Sequence, residues 1–164
     1  MSGAFSIHVT KENLKFSAAH FIAYPGFREP LHGHNYQVGV RVEGRLSATG
    51  YVLEFGLIKR LVREIAGRLD ERTIIPALSD CLRIDEQDGQ LIVQYENDRF
   101  AFPRSDVALL PIVHSSAEEL AQFVWHELDQ ALQGGNILAD IVAIEISVAE
   151  GPGQAAIYRR AVGA

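Results

Sequence analysis

The segment "HGHNYQVGVRVEG", residues 32–44, constrains the fold more than any other feature of the chain, because its side chains alternate between apolar and polar. Tyr36, Val38 and Val40 recur at every second position, which predicts a β-strand with one buried face. His32 and His34 share that alternation, so both imidazoles should project to the same face. The segment therefore predicts a sheet and, at one end of it, a place for chemistry.

Further strands are predicted on both sides of this segment. "AFSIHV" and "LKFSAAHFI" are typical of two strands that form a hairpin around the polar "KEN". "DIVAIEISVAEGPGQAAIYRRAV" predicts a second hairpin, around Gly-Pro-Gly. "LIVQYE" and "RFAF" predict a third hairpin, with its turn at Asn97-Asp98.

Two amphipathic helices are predicted between the strands. The first follows from apolar residues at a spacing of four, namely Leu57, Leu61, Ile65 and Leu69. The second begins near residue 114, where Ser115 with Glu118 or Ser116 with Glu119 could form a capping box. Strands and helices grouped in this way favour an α+β fold, an antiparallel sheet with two helices on one face. The edges of such a sheet need cover, which oligomerisation would provide.

Composition limits the classes of protein to consider. The 164 residues suit a single domain, 1–164. Fifteen basic against twenty-one acidic residues give a net charge of −6, which argues against non-specific binding to nucleic acid or to an anionic membrane. A single cysteine, no signal-peptide pattern and no long apolar run predict a cytoplasmic protein with neither nucleic acid nor membrane as partner.

A third histidine completes a candidate metal site. His20 lies near the end of the preceding predicted strand, a natural antiparallel neighbour of the strand that carries His32 and His34. Three converging imidazoles would leave one position of a tetrahedral Zn²⁺ open to water or substrate, as catalytic sites do. Two histidines at this spacing are, by themselves, more often ordinary surface or core residues. A cupin site is disfavoured, because Val38 and Gly39 stand where it needs a glutamate.

Five ordered motifs carry a resemblance to a known family. "FSAAHF", "LHGHNYQVGVRVEG", "TGYVLEFGLIKRLVREIAGRLDE", "HSSAEELA" and "AEGPGQAAIY" resemble, in order, the landmarks of the 6-pyruvoyl-tetrahydropterin and 6-carboxy-tetrahydropterin synthases. The resemblance covers nearly all the chain except about residues 77–110, which implies an inserted hairpin there. It also implies a tunnelling fold (T-fold), in which subunits pool their sheets into barrels and two trimers stack as a homohexamer. It also implies that His20, His32 and His34 bind Zn²⁺, that the active sites lie between subunits, and that the substrate is a dihydropterin.

The resemblance further implies three substrate-binding residues. Glu150 matches the family's pterin-binding glutamate, eight positions before Tyr158. A carboxylate suits that role because the 2-amino and N3–H groups of a pterin can both donate to it, as one edge of a guanidinium does. Ser115 and Ser116 match a pair of hydroxyl residues beside the pterin, although both could equally cap the second helix.

The chain departs from the best-known members at two places. Arg28 stands where they have a cysteine, and Glu71 follows Asp70 where they have histidine. The motif "EPLHGH" instead resembles a Glu-x-x-His-Gly-His variant class, which implies Glu29 as catalytic base, with Asp70 and Glu71 as proton relays. That class is associated with an aldolase-like lyase reaction that converts dihydroneopterin triphosphate to 6-hydroxymethyl-dihydropterin for folate or related cofactors.

Two alternatives remain open from the sequence. One keeps the family and changes the reaction to triphosphate elimination, as in 6-pyruvoyl-tetrahydropterin synthases, or to 6-carboxy-tetrahydropterin formation. The other is a non-catalytic pterin-binding protein, which the departures at Arg28 and Glu71 would favour.

Overall fold

The computed structural model describes residues 4–133 and 136–162. Within these residues, the two segments with apolar residues at helical spacing form α-helices. Helix α1 spans Phe55–Gly67 and α2 spans Ala117–Leu132. The strands are β1 (Phe5–His20), β2 (Ala23–Tyr24), β3 (Phe27–Arg28), β4 (His32–Gly44), β5 (Arg72–Pro76), β6 (Arg83–Gln87), β7 (Gln90–Tyr95), β8 (Asp98–Pro103), β9 (Val107–Leu110), β10 (Ile141–Gly151) and β11 (Gln154–Ala161).

The main sheet has the strand order β11-β10-β4-β1-β5-β9. Its first four strands are antiparallel, as predicted, but β1–β5 and β5–β9 are parallel pairs. The predicted antiparallel sheet is therefore confirmed for these four strands and wrong for β5 and β9. Because α1 carries the chain along the sheet in the direction of β1, the chain enters β5 still running that way. The short segment "RTIIP" contains no signal for its own direction.

The predicted hairpin at the N-terminus was also wrong, because β1 is one strand of 16 residues. It pairs with β4 through residues 5–10 and 15–20, and the polar segment 11–13 lies in the register shift between these two stretches. Phe16 and Ala18 continue the buried face beyond that shift. Burial on both sides of the irregularity favours a bulged long strand over a turn. The predicted C-terminal hairpin of β10 and β11 is present.

Both helices pack on one face of the main sheet, as predicted. They share one apolar cluster with β1, β4 and β10, in which Tyr36, Ile58, Leu128 and Ile146 are fully buried. The Trp125 indole N–H donates to the Ile144 carbonyl oxygen (2.9 Å), which joins α2 to β10. None of the helices in the described ranges is long and apolar enough to cross a bilayer.

The segment predicted as an inserted hairpin forms a separate three-stranded sheet, β6-β7-β8. The turn between β7 and β8 lies at Glu96-Asn97, one residue before the predicted position. A second apolar cluster joins this small sheet to the loop after β1, through Phe21, Leu91 and Val93. Val107–Leu110, at the end of the segment 77–110, lies outside the small sheet and pairs with β5. That this segment is an insertion stays a prediction.

Candidate metal centre and adjoining pockets

Three histidines converge where β1 and β4 meet their loops. His20 lies directly opposite His32 in the ladder, and His34 lies opposite Ala18, so all three side chains share one face of the sheet. One ligand nitrogen from each ring lies within 4.8 Å of the other two. The ring centroids are 4.6 Å apart for His20–His32, 5.2 Å for His20–His34 and 4.9 Å for His32–His34.

Backbone carbonyls orient two of these rings. His20 Nδ1 lies 2.7 Å from the Ser115 carbonyl oxygen, and His32 Nδ1 lies 2.9 Å from that of Pro30. A carbonyl oxygen can only accept, so each Nδ1 donates, and in the neutral ring Nε2 keeps its lone pair. His20 Nε2 is buried without a hydrogen-bond partner among the described residues. Leaving such an atom unpaired is costly, and a metal ion would satisfy it.

The electrostatics favour the neutral, ligating form of His20. Burial lowers the pKa of His20 below its ordinary value, and electrostatic interaction with the neighbouring His32 and His34 lowers it further. The hydrogen bond to Ser115 and the carboxylate of Glu150 oppose that effect. Three neutral imidazoles with one open position are a donor set that fits Zn²⁺.

Tyr36 belongs to the site, although the sequence analysis assigned it only to the core. Its ring centroid lies 5.9 Å from that of His20 and 5.6 Å from that of His34, and its hydroxyl is buried without a partner in the described chain. Burial, and then the carboxylates of Glu150 and Glu29, raise the pKa of Tyr36. The alternation that places Tyr36 on the same face as His32 and His34 could have indicated from the sequence that Tyr36 lies beside the metal site.

The Glu29 carboxylate closes the loop that leads from β1 to β4. Its Oε2 accepts a hydrogen bond from the Ile22 amide (3.0 Å), while the Glu29 amide donates to the Ile22 carbonyl oxygen (2.9 Å). This double contact anchors both ends of the loop that contains the short β2–β3 hairpin. Glu29 is half-buried, and its carboxylate lies close enough to Tyr36 of β4 to raise the pKa of that tyrosine.

Glu150 and Ser116 line one pocket of about 380 Å³, together with Ile22, Glu118 and Gln154. Ser116 is the N-cap of α2, and its hydroxyl accepts from the Glu119 amide (3.4 Å). The Glu119 carboxylate accepts from the amides of Val113 and His114 (2.7 and 3.0 Å), so the predicted capping box is only partly realised.

Ser115 has different contacts from its neighbour. It is fully buried, its hydroxyl donates to the Phe21 carbonyl oxygen (2.9 Å), and its own carbonyl orients His20. These contacts tie the start of α2 to the end of β1. Binding of substrate by Ser115 stays a prediction, but the observed contacts support a role in positioning the histidine.

Asp70 and Glu71 lie at the β5 side of β1. Asp70 Oδ1 accepts from the Ser17 amide (2.7 Å), and the Glu71 amide donates to the Ser17 carbonyl oxygen (2.7 Å). Glu71 has a φ of 56° and lines a second pocket of about 500 Å³ with Arg72, Thr73 and His34. Within the described chain, no hydrogen bond joins Asp70 or Glu71 to Glu29, and the relay stays a prediction.

Arginine side chains are frequent partners of phosphate groups, but Arg28, Arg72 and Arg104 each already have a partner within the chain. Arg28 pairs with Asp98, Arg72 donates to the Ser105 carbonyl oxygen, and Arg104 pairs with Glu86 and donates to the Val107 carbonyl oxygen.

Comparison with known proteins agrees with this geometry. A model of the 6-pyruvoyl tetrahydropterin synthase family matches residues 8–161. A protein of Methanocaldococcus jannaschii with the provisional name 6-carboxy-5,6,7,8-tetrahydropterin synthase is 36% identical over 148 residues, 90% of each chain. A dihydroneopterin monophosphate aldolase of Pyrococcus furiosus is 37% identical over 59 residues, which are 36% of this chain and 50% of that one.

Solved structures agree over nearly the whole chain. The 6-pyruvoyl tetrahydropterin synthase of Plasmodium vivax superposes with a TM-score of 0.94 at 34% identity, covering 98% of this chain and 99% of that one. The Plasmodium falciparum synthase gives 0.93 at 38% identity, covering 99% and 100%. Two further structures of the Plasmodium vivax protein replace a glutamate described as a catalytic residue by alanine or cysteine. The chain belongs to the 6-pyruvoyl tetrahydropterin synthase family.

Proposed function

We propose that this protein is a zinc-dependent, aldolase-like lyase that acts on the side chain of 7,8-dihydroneopterin triphosphate or a related dihydropterin and yields 6-hydroxymethyl-7,8-dihydropterin. The observation that carries the proposal is the three-imidazole cluster with an unpartnered buried Nε2. It lies at the end of the main sheet, near the loop that carries Glu29 and the strand β10 that carries Glu150, and both carboxylates act on the neighbouring Tyr36. A zinc ion held by His20, His32 and His34 would act there as a Lewis acid toward the side-chain hydroxyls.

Glu150 is the proposed anchor of the pterin ring. It faces the pocket beside Ser116 and lies within electrostatic range of His20 and Tyr36. A carboxylate can accept two parallel hydrogen bonds from the 2-amino and N3–H groups, which fixes the orientation of the ring. A ring held in this way would direct its side chain at C6 toward the histidines.

Glu29 is the proposed general base. Its Oε2 is held by the Ile22 amide, and among the described residues Oε1 accepts no hydrogen bond, so this oxygen is left for a substrate proton. Removal of the 2′-hydroxyl proton would convert C2′ to an aldehyde as the C1′–C2′ bond breaks. The bonding electrons would pass into the pterin ring, and a proton returned to C1′ would complete the hydroxymethyl group.

Two relatives support Glu29 as the base and an aldolase-like reaction. In the Plasmodium vivax relative a glutamate is described as a catalytic residue, and the Pyrococcus furiosus relative is named as a dihydroneopterin monophosphate aldolase. The Methanocaldococcus jannaschii relative favours the alternative, formation of a 6-carboxy-tetrahydropterin. In the related pyruvoyl-forming reaction, the same base would take the C1′ proton and triphosphate would leave. A non-catalytic pterin-binding protein is the further alternative.

Identification of the products tests the reaction. The purified zinc-loaded protein is incubated with 7,8-dihydroneopterin triphosphate and, separately, with the monophosphate, and products are identified by mass spectrometry. We expect 6-hydroxymethyl-7,8-dihydropterin and a two-carbon aldehyde that still bears the phosphate. Release of inorganic triphosphate without that fragment would reject the aldolase-like reaction in favour of elimination.

The Glu29→Gln variant tests the base. We expect turnover to fall about 10²- to 10⁴-fold, the usual contribution of general base catalysis, because an amide cannot accept the proton. Glu64→Gln is the matched control, since Glu64 is exposed on α1. Unchanged turnover in Glu29→Gln would remove Glu29 from the mechanism, and absence of turnover in the wild type would favour the binding protein.

We also propose that copies of the chain join sheet to sheet into a homohexamer, a dimer of trimers with active sites between subunits. The support is that β9 and β11 are edge strands of the main sheet. Asp70 and Glu71, which contact β1 rather than Glu29, could then serve as relays in a site shared with a neighbouring copy. Light scattering should give six times the mass of one chain; a monomeric mass would contradict the assembly.

A further inference from the structure

The small sheet β6-β7-β8 makes direct contacts with the loop that carries Glu29. Arg28, the residue before Glu29, donates from Nε and Nη2 to Asp98 Oδ2 at 3.0 and 2.7 Å. Asp98 is the first residue of β8. On the same side, the Tyr95 hydroxyl donates to the Tyr24 carbonyl oxygen (3.0 Å). The small sheet thus holds the loop at two points.

The Arg28 guanidinium is also fixed by aromatic rings. Its central carbon lies 5.1 Å from the ring centroid of Phe100 and 5.9 Å from that of Phe21, and these two rings stack at 5.0 Å. Cation–π contact with ring faces restricts a guanidinium beyond what a single ion pair does. The Arg28 side chain is accordingly only 21% exposed, against 55% for Asp98.

The remaining arm of the guanidinium reaches the glutamate itself. Arg28 Nη1 donates to the Glu29 carbonyl oxygen at 2.7 Å. The amide and carboxylate of Glu29 are both bonded to Ile22, so the backbone of Glu29 is held on two sides. The chain of contacts therefore runs from Asp98 through Arg28 to the main chain that carries the proposed base.

From these contacts we infer that Arg28 and Asp98 are positioning residues, which fix the Glu29 carboxylate through a clamp supplied by the small sheet. The inference rests on the proposed function for its effect on turnover. It also accounts for the arginine at position 28, where the chain departs from the best-known members of its family. Neither residue needs to touch the substrate.

The test combines a structural readout with a kinetic one. Asp98→Asn removes the charge that holds the guanidinium, and Arg28→Lys keeps the charge but loses the planar fork. Glu86→Gln is the matched control, because it breaks an ion pair of the same small sheet, with Arg104 at 3.4 Å, away from the loop. Hydrogen exchange is measured at the amides of Ile22 and Glu29, and steady-state kinetics on the dihydropterin substrate.

In both clamp variants we expect exchange at the Ile22 and Glu29 amides about tenfold faster, because the local opening of the loop becomes easier. We expect kcat to fall about tenfold or more with KM little changed, since a displaced base costs rate rather than binding. The control should match the wild type in both. In a Glu29→Gln background, Arg28→Lys should cause no further loss, because residues that act as a unit are not additive.

The possible outcomes test the Arg28–Asp98 clamp and the proposed reaction separately. Unchanged exchange in Asp98→Asn and Arg28→Lys would overturn the clamp, and faster exchange with unchanged kcat would overturn its positioning role. A further loss of turnover in the Glu29→Gln background would show that Arg28 acts on something other than Glu29. Faster exchange in a protein that turns over no dihydropterin would support the clamp while rejecting the proposed function.

Discussion

His20 donates from Nδ1 to the backbone carbonyl oxygen of Ser115 at 2.7 Å, and the Ser115 hydroxyl donates in turn to the carbonyl oxygen of Phe21. This pair of contacts locks the end of β1 to the start of α2 and fixes which nitrogen of His20 faces the other two imidazoles. A histidine held in this way has its ligand atom set before any metal arrives, as outer-shell contacts of metal sites generally ensure.

Replacement of His32 should remove the metal without unfolding the protein. His32 is exposed, so His32→Ala deletes one of three ligands and leaves the core intact. We expect about one Zn²⁺ per chain in the wild type and an affinity more than about 100-fold weaker in the variant, beyond what loss of an outer-shell contact costs. Elemental analysis and competition with a chelator measure both.

His8→Ala is the matched control for this experiment, because His8 is an exposed histidine of the same strand β1. It should retain the metal. Equal zinc content in His32→Ala and wild type would contradict the assigned ligand set.

The N-cap of α2 should contribute measurably to stability. Ser116→Ala removes the hydroxyl that accepts from the Glu119 amide, and loss of such a cap typically lowers the free energy of unfolding by about 0.5–2 kcal/mol. Ser116→Asp should keep most of the stability, because aspartate is an equally good cap. Denaturant unfolding measures both variants, and equal stability of Ser116→Ala and wild type would show that the cap is dispensable.

Gly44, at the end of β4, should not tolerate a side chain. A Cβ there would lie 2.6 Å from the Asp140 carbonyl oxygen and 2.9 Å from Val52 Cγ1. We expect Gly44→Ala to lower the free energy of unfolding by about 1–3 kcal/mol through overpacking. Gly67→Ala is the control: apart from its chain neighbours and the backbone of α1, no heavy atom of the described chain lies within 4 Å of its Cβ position, and alanine should raise helix stability by up to about 1 kcal/mol. Thermal unfolding should rank the variants on opposite sides of the wild type.

Acid should weaken one link between β4 and β11. The hydrogen bond from Arg159 Nη2 to Glu43 (2.6 Å) lowers the pKa of Glu43 below its ordinary value of 4.5. A lowered pKa in the folded state means that the unfolded state binds the proton more readily, so this contribution is present above pH 4.5 and is lost as the pH falls through the folded pKa. Glu43→Gln should therefore be less stable than the wild type at pH 7, and the difference should shrink on acidification. A difference independent of pH would assign the effect of the substitution to packing.

The alternation in residues 32–44 predicted the central strand and placed both of its histidines on one face correctly. The spacing of apolar residues likewise predicted both helices, because each is amphipathic and packs on one side only. Local patterns were less successful where pairing is long-range: β1 absorbs its polar segment as an irregularity, and β5 takes its direction from the path of α1.

The sequence by itself determined the histidine strand and the two helices, because their patterns depend on residues that are close along the chain. Its ordered motifs also determined the family. Only the tertiary structure decided how the residues of the candidate site are held. The orientation of His20 by Ser115 and the contact of Arg28 with Asp98 join residues 95 and 70 positions apart. No local periodicity encodes such contacts, because they arise only when packing of the sheets and α2 brings distant segments within hydrogen-bond distance.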